Sequence, residues 1–219
     1  MEVVIDVSNM TKKFGDAAVL QNINIQFEEG KIYGIVGKNG SGKTVLFKLI
    51  IGYLRTTEGR VRVYGKEVGK DKDFAEEIGI IIENPGFLSG YTGYKNLEYL
   101  ASIRKVIGKE EIRASMKKMG LDPDSRKRVG EYSMGMNQRL AIAQAIMEEP
   151  RILLLDEPMN GLDNQGVEDV RRILLQLKKE GKTIILSSHS REDIEILCDE
   201  IYEMDQGRMK KIHAAASVE

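Results

Sequence analysis

The feature that most constrains this chain is a glycine-rich stretch, Gly37–Thr44, with the letters GKNGSGKT. Its spacing fits a phosphate-binding loop, G-x-x-x-x-G-K-[ST]. Residues 31–36 before it have the apolar pattern of a short strand, and residues 44–51 after it are typical of a helix that ends at Gly52. The order strand, loop, helix therefore predicts a nucleoside triphosphate site. The alternative is a glycine-rich turn that matches by chance.

The residue types in this loop suit an anion. Glycines let the backbone adopt positive φ and bring its N–H groups against phosphate oxygens, and the following helix directs its positive dipole end at the same place. Lys43 is predicted to reach the β- and γ-phosphates, and the Thr44 hydroxyl is predicted to ligate Mg²⁺. The nucleotide-binding residues predicted here are Gly37, Lys38, Asn39, Gly40, Ser41, Gly42, Lys43 and Thr44.

Composition limits the partners and the compartment. The 33 basic and 34 acidic residues give a net charge of -1, so there is no electrostatic case for nucleic acid and none is expected as a partner. No apolar run approaches the roughly 20 residues that span a bilayer, and the N-terminus lacks the pattern of a signal peptide. Cys198 is the only cysteine, which is typical of a reducing cytoplasm. We therefore expect any membrane role to depend on a partner chain.

Apolar patterning predicts one α/β domain over residues 1–219, a length that can bury one sizeable core. Apolar residues alternate over residues 1–30, as in half-buried strands, around a polar turn at Thr11–Asp16. Continuous apolar runs at residues 78–82, 152–155 and 183–186 predict buried strands.

Between the first two of these runs the apolar period becomes helical, for example at Tyr94, Leu97, Leu100 and Ile103. We therefore predict a core lobe of residues 1–83 and 151–212 with a helical lobe, residues 84–150, inserted into it. Residues 213–219 are predicted to be a short, frayed tail.

Two carboxylates end the apolar strand that begins at Ile152. Parallel strands deliver the residues at their carboxyl ends to a ligand crevice. Asp156 is predicted to hold Mg²⁺, directly or through water, and Glu157 is predicted to be the general base that polarises the attacking water. The alternative is a strand that ends in an acidic surface turn.

Residues 10–208 resemble the ATP-binding subunit of an ABC transporter. Gly37–Thr44 matches the family's Walker A motif and Ile152–Glu157 matches Walker B. Gly161–Asp163 resembles the D-loop, and His189 resembles the switch histidine. The resemblance implies ATP as the nucleotide and a P-loop NTPase fold: a RecA-like core with a mostly parallel sheet, an N-terminal antiparallel β subdomain and the inserted helical lobe.

The resemblance also implies roles for single residues. Phe14 lies where the family places an aromatic that stacks on adenine; the alternative is a hydrophobic plug in a turn. His189 is implied to act in catalysis; the alternative is a histidine satisfied within its loop. The family's signature, usually Leu-Ser-Gly-Gly-Gln, is Tyr132–Met136 here, and it keeps Ser133 and Gly135.

A second departure from the family lies at Glu83, where a glutamine is usual. A carboxylate is a legitimate Mg²⁺ ligand, so Glu83 is a predicted metal-binding residue, although it adds negative charge near the γ-phosphate. Together with the altered signature, Glu83 resembles the branch of lantibiotic-immunity and bacitracin-resistance exporters.

The resemblance implies a head-to-tail dimer, expected to be a homodimer, in which Ser133 and Gly135 serve the partner's nucleotide and Asp163 lies near the same interface. It also implies an integral membrane permease, with this chain peripheral on the cytoplasmic face. Residues 87–91 are a candidate contact surface for the permease; the alternative is a loop packed on its own lobe.

The expected function is ATP hydrolysis that energises export, with an antimicrobial peptide or other antibiotic as the candidate substrate. One alternative is a non-transport ABC ATPase with a regulatory or nucleic-acid-associated role. Another is an unrelated P-loop kinase, which leaves Ser133, Gly135 and His189 without an explanation.

Overall fold

The computed structural model describes residues 2–83 and 85–212. The predicted tail at 213–219 lies outside the described residues, as does Asn84, the first residue of the predicted helical lobe. The strands are β1 (Val3–Phe14), β2 (Ala17–Glu28), β3 (Ile32–Val36), β4 (Glu58–Val63), β5 (Lys66–Glu67), β6 (Ile78–Ile81), β7 (Ile152–Asp156), β8 (Thr183–Ser187), β9 (Glu200–Asp205) and β10 (Arg208–Ile212). The helices are α1 (Lys43–Ile50), α2 (Gly93–Arg104), α3 (Lys109–Lys118), α4 (Met134–Ile146), α5 (Asn164–Lys179) and α6 (Arg191–Leu197), with a 3₁₀ turn at Val129–Glu131.

The alternating residues of the N-terminal region form an antiparallel sheet in the order β2-β1-β4-β5. The predicted polar turn at Thr11–Asp16 is too long, because β1 continues to Phe14 and β2 begins at Ala17. Phe14 pairs directly with Ala17, and irregularities in the β1–β2 register let the polar residues continue the ladder. Only Gly15 and Asp16 connect the two strands.

The second sheet has the order β10-β9-β3-β8-β7-β6, and all its strands are parallel except β10. Strand β8 lies between β3 and β7 and is buried along its whole length. Such burial explains the continuous apolar runs. Since the carboxyl ends of parallel strands meet at one edge, the segments that follow β3, β8 and β7 converge there.

The core lies on both faces of this sheet. Leu153 and Leu155 of β7 pack with buried residues of α2 to α6, whereas Ile152 and Leu154 pack with α1 and the antiparallel sheet. Ile103 lies in α2, as the helical period predicts, but it is 76% exposed. Helix α2 buries Leu97 and Ala101, which lie one turn apart on a different face of the helix.

The chain between β6 and β7 is mainly helical, as the periodicity predicts. It contains α2, α3, the 3₁₀ turn and α4, and α4 packs against both α3 and β6. Within the described residues, no helix is both long and apolar enough to cross a membrane.

Candidate functional site

The glycine-rich loop connects β3 to α1, as predicted, and lies against the β9–β10 hairpin. Gly207 N donates a hydrogen bond to Ser41 O at 3.2 Å. A Cβ atom at Gly37 would lie 2.2 Å from Met204 O, a distance that no side chain tolerates. Glycine at position 37 therefore lets the loop press on the hairpin. Gly42 then begins α1 with φ of 112°.

The loop carries polar groups suited to an anion. Lys43 Nζ donates to Gly37 O at 2.6 Å and to Lys38 O at 3.3 Å, so its ammonium group curls over the loop. The Ser41 hydroxyl is buried and has no hydrogen-bond partner in the described part of the chain. A buried donor without a partner, beside an ammonium group and a helix N-terminus, fits a phosphate oxygen. The residues present therefore suit a nucleotide phosphate.

A cavity of about 330 Å³ opens over this loop and extends to the ends of β7 and β8. Its lining includes residues from the loop, from α1 and from both strand ends. They are Val19, Asn39, Gly40, Gly42, Lys43, Thr44, Val45, Asp156, Glu157 and His189. The cavity thus joins the predicted phosphate-binding residues to the predicted catalytic ones.

The two predicted metal-binding groups from separate elements meet directly. Thr44 Oγ1 donates to Asp156 Oδ2 at 2.7 Å, and Ser187 Oγ donates to Asp156 Oδ1 at 2.5 Å. A hydroxyl and a carboxylate are oxygen ligands of the kind that Mg²⁺ binds, usually together with phosphate oxygens and water. The pair therefore fits a magnesium site next to the phosphates.

Glu157 and His189 are also in contact. His189 Nε2 lies 3.1 Å from Glu157 Oε1, and His189 N donates to Glu157 Oε2 at 3.3 Å. Burial raises the pKa of the Glu157 carboxyl group, and the nearby imidazole of His189 partly opposes this effect. A raised pKa makes a carboxylate a stronger base, which suits the predicted role of Glu157.

The altered signature lies at the start of α4. Ser133 caps this 13-residue helix, its side chain accepting a hydrogen bond from Met136 N at 3.1 Å. Gly135 lies against the D-loop, where a Cβ atom would come within 3.2 Å of Gly161 O. Among the described residues, no hydrogen bond joins Ser133 or Gly135 to the phosphate loop of the same chain.

Two further predicted residues, Asp163 and Phe14, lie at the start of α5 and at the end of β1. Asp163 caps α5 by accepting from Gly166 N at 2.8 Å. Phe14 is half-exposed at the end of β1, with Lys12 Nζ 4.8 Å from its ring centre.

Glu83 is held beside the phosphate-binding helix by an ion pair. Its Oε1 atom lies 2.7 Å from Nζ of Lys48. Lys48 follows Thr44 by one turn on α1, so the two side chains share a helix face. The structure therefore places Glu83 near the predicted metal-binding residues but paired with an ammonium group.

Comparison with known proteins identifies the family. The sequence profile described as ABC transporter matches residues 20–160, which is more than half of the chain and includes the phosphate loop and both carboxylates. The chain belongs to the ABC transporter family. As an ATP-binding cassette, it is an ATPase that binds nucleotide, and the predicted family and fold class are confirmed.

Several relatives of this cassette are similar over nearly its whole length. An uncharacterised ABC transporter ATP-binding protein of Bacillus subtilis, YybJ, is 46% identical over 94% of this chain and 95% of its own. The bacitracin transport ATP-binding protein BcrA of Enterococcus faecalis is 42% identical, over 95% of this chain and 68% of BcrA. The lantibiotic transport ATP-binding protein SrtF of Streptococcus pyogenes is 34% identical, over 94% and 89%. The predicted resemblance to the bacitracin and lantibiotic branch is therefore confirmed.

Solved structures agree with the fold. The dimeric post-hydrolysis state of an ATP-binding cassette bound to ADP and Pi matches with a TM-score of 0.83 and 25% identity, over 95% of this chain and 99% of that one. A second dimeric structure of the same cassette, described as a bacterial ABC transporter cassette, matches with a TM-score of 0.83 and 26% identity, with the same coverage.

Sequence reasoning missed two residues of the ABC cassette's site. Ser187 donates to Asp156, and it also accepts from Glu157 N at 3.0 Å. Gln138 Nε2 on α4 donates to Pro158 O at 2.9 Å, and so ties the signature helix to the segment after β7. The position of Ser187, directly after a buried apolar run, is a signal that could have found it. Gln138 has no such local signal.

Proposed function

We propose that this chain hydrolyses ATP to energise export through a separate membrane permease, with peptide antibiotics such as bacitracin or lantibiotics as the substrate class. The observation that carries the ATPase part is the meeting of Thr44, Asp156, Glu157 and His189 over the phosphate loop. The relatives named for bacitracin and lantibiotic transport support the substrate class. They do not favour the alternative of a non-transport ABC ATPase.

In this proposal the nucleotide lies along the loop. Backbone N–H groups of residues 37–42, the Ser41 hydroxyl and the Lys43 ammonium group hold its phosphates, and the half-exposed ring of Phe14 stacks on adenine. Thr44 and Asp156 hold Mg²⁺, which when bound neutralises negative charge on the phosphates.

Glu157 acts as the general base. Its partly buried carboxylate orients the attacking water and accepts its proton. His189 holds that carboxylate in place through the contact of Nε2 with Oε1 at 3.1 Å. Ser187 fixes the positions of Asp156 and Glu157, because its hydroxyl donates to Asp156 Oδ1 and accepts from Glu157 N.

The complete site needs a second copy of the chain in this proposal. Ser133 and Gly135 stand at the N-terminus of α4, where a helix dipole and backbone N–H groups favour an anion. They form no hydrogen bond with their own phosphate loop among the described residues, which supports a role at the partner's nucleotide. Asp163 holds the D-loop end of α5 at the same interface. The two dimeric structures of one cassette, each with a TM-score of 0.83, support this arrangement.

The permease contacts residues 87–91, the surface that follows Glu83. Its backbone is fixed to α2, since Leu88 N donates to Asn96 Oδ1 at 2.7 Å. Leu88 and Tyr91 are nevertheless exposed, at 51% and 44%, whereas Phe87 is partly buried against the core. Tyr91 packs edge-on against Tyr99 at 5.4 Å between ring centres. An exposed apolar and aromatic patch on a fixed backbone suits a protein partner.

In this proposal residues 84–150 form the lobe that transmits movement to the permease. The chain lies on the cytoplasmic face of the membrane.

A susceptibility assay tests the proposed function. In the organism that encodes this chain, deletion of the gene should increase sensitivity to bacitracin or to lantibiotics. The intact gene should restore resistance, whereas Glu157→Gln should not. Unchanged sensitivity to every peptide antibiotic after deletion would contradict the proposed substrate class.

Crosslinking tests the permease contact. A photo-crosslinker at Tyr91 should link the chain to an integral membrane protein, and Leu88→Asp should reduce the yield of the crosslinked product.

A further inference from the structure

A buried ion pair joins α5 to α6 beside the proposed catalytic residues. The side chains of Arg171 and Asp193 are only 5% and 3% exposed. Arg171 Nε donates to Asp193 Oδ1 at 2.9 Å, and Nη2 donates to the same oxygen at 2.5 Å. Burial of two charges has a large desolvation cost, so such a pair often adds no net stability over apolar residues of similar size. Stability alone is therefore a poor account of this pair.

The second oxygen of Asp193 binds the loop that carries His189. Ser188 Oγ donates to Asp193 Oδ2 at 3.2 Å, and Ser190 N donates to Ser188 Oγ at 3.1 Å. Asp193 N in turn donates to Ser190 Oγ at 3.2 Å. Ser188 thus bonds directly to the buried carboxylate of Asp193, and Ser190 bonds to the Ser188 hydroxyl and to the backbone N–H of Asp193.

His189 itself has little packing to hold it, because its side chain is 51% exposed. Its backbone is fixed by Ser188 and Ser190. A cavity of about 560 Å³ is lined by Glu157, His189, Arg171 and Asp193 among other residues. The loop that aims the imidazole therefore depends on the ion pair.

We propose that Arg171 and Asp193 are positioning residues for His189, and that they control the rate of ATP hydrolysis without contributing to nucleotide affinity. The inference rests on the proposed roles of Glu157 and His189. Arg171 Nη1 also lies 2.6 Å from Glu168 Oε1 and 3.3 Å from Glu192 Oε1, which help to orient the guanidinium group that holds Asp193. The guanidinium group of α5 thus holds Asp193 of α6, whose other carboxylate oxygen binds the loop of His189.

Three variants separate positioning from folding. Ser188→Ala removes the hydroxyl that links Asp193 to the loop and that accepts from Ser190 N, and it leaves the ion pair intact. Asp193→Asn keeps the shape of the side chain but removes its charge, and Arg171→Lys keeps the charge but loses the two-pronged contact. Arg113→Met is the matched control, because it breaks the Arg113–Asp124 ion pair of the exposed surface.

The chain has two histidines, His189 and His213, so an imidazole NMR spectrum can be assigned with a single His213→Gln variant. We expect Ser188→Ala and Asp193→Asn to broaden or split the His189 resonance and to lower kcat by about tenfold or more, as loss of geometry does. The Kd for ATP should stay within about twofold of the wild type, since neither residue is placed at the phosphates. Arg171→Lys should lie between these variants and the wild type, and Arg113→Met should change neither reading.

An unchanged His189 resonance with unchanged kcat in Ser188→Ala and Asp193→Asn would refute the positioning role. Equal losses in kcat and in ATP affinity would refute it as well. An altered resonance with unchanged kcat would instead refute the catalytic role of His189, on which the inference rests.

Discussion

At the scale of single residues, the contact between Thr44 and Asp156 is the point where the phosphate loop meets the end of β7. The hydroxyl and the carboxylate oxygen are 2.7 Å apart. We expect Thr44→Ala to weaken ATP binding in the presence of Mg²⁺ by about tenfold or more, because one ligand of the ion is lost and a charged hydrogen-bonded group loses its partner. Titration with a fluorescent ATP analogue measures this. In EDTA the variant and the wild type should bind alike; an equal loss in EDTA would contradict the metal role.

Glu83 and Lys48 give a second prediction at the same scale. The carboxylate now lies 2.7 Å from an ammonium group that shares a helix face with Thr44. We expect Glu83→Gln to raise the Mg²⁺ concentration for half-maximal ATP hydrolysis by about two- to tenfold, because a neutral amide replaces a charge near the ion. Lys48→Met should lower that concentration, because it leaves the carboxylate uncompensated. If neither variant shifts the Mg²⁺ dependence, Glu83 is a surface residue without a role in metal binding.

We predict Lys43, Asp156 and Glu157 from local patterns, because Lys43 begins the helix after the glycine-rich loop and the two carboxylates stand at the end of β7. The role of His189 is implied by the family resemblance. The same local patterns do not predict Lys48, Arg171 or Asp193. Their partners are distant in the chain, for example Asp193 22 residues after Arg171, and the contacts exist only once two elements pack.

At the scale of elements, Glu200 connects β9 to both of its neighbours. It lies 2.8 Å from Lys31, which precedes β3, and 2.8 Å from Lys211 of β10. Burial disfavours its charge, but hydrogen bonds from Lys211, Lys31 and Tyr202 outweigh this and lower the pKa of Glu200 to about 2. Because the hairpin formed by β9 and β10 supports the phosphate loop, this carboxylate also supports the site.

We expect Glu200→Gln to lower the free energy of unfolding at pH 7 by about 1–3 kcal/mol. A carboxyl group with a depressed pKa stabilises the fold above its unfolded pKa, and this contribution is lost as the pH falls through the folded pKa. The difference between variant and wild type should therefore shrink between pH 4.5 and 2. Urea denaturation at pH 7 and pH 3.5 measures it. An equal difference at both pH values would contradict the assignment.

The sequence predicts well the strands whose apolar pattern is set by burial. It predicts less well the strand ends that are set by pairing with a neighbouring strand. Strands β7 and β8 are continuous apolar runs buried on both faces, so the sequence alone reveals them. The extension of β1 to Phe14 depends on the register with Ala17, and polar side chains give no sign of it. Periodicity likewise predicts the helix that contains Ile103, but the elements packed against α2 decide which face of the helix is buried, and Ile103 is exposed.

At the scale of the whole molecule, the proposed ATP-bound dimer accumulates only when ATP hydrolysis is slower than ATP binding. We expect Glu157→Gln to lower kcat by about 100-fold or more, as loss of a general base does, while it leaves the phosphate loop intact. The variant should then accumulate as an ATP-bound dimer, which light scattering coupled to gel filtration measures. Asp163→Ala in the same background should reduce the dimer fraction, because it removes the cap of α5 at the interface. A Glu157→Gln variant with full turnover would contradict the role of Glu157.

In the proposed dimer two chains build each hydrolytic site, because Ser133 and Gly135 form no hydrogen bond with their own phosphate loop among the described residues. The most direct test is the rate of ATP hydrolysis by the purified protein as its concentration is varied, with Ser133→Ala beside it. The account predicts a rate that rises faster than linearly with protein concentration and falls in the variant. A strictly linear, Mg²⁺-dependent rate over concentrations at which the protein is monomeric would contradict it.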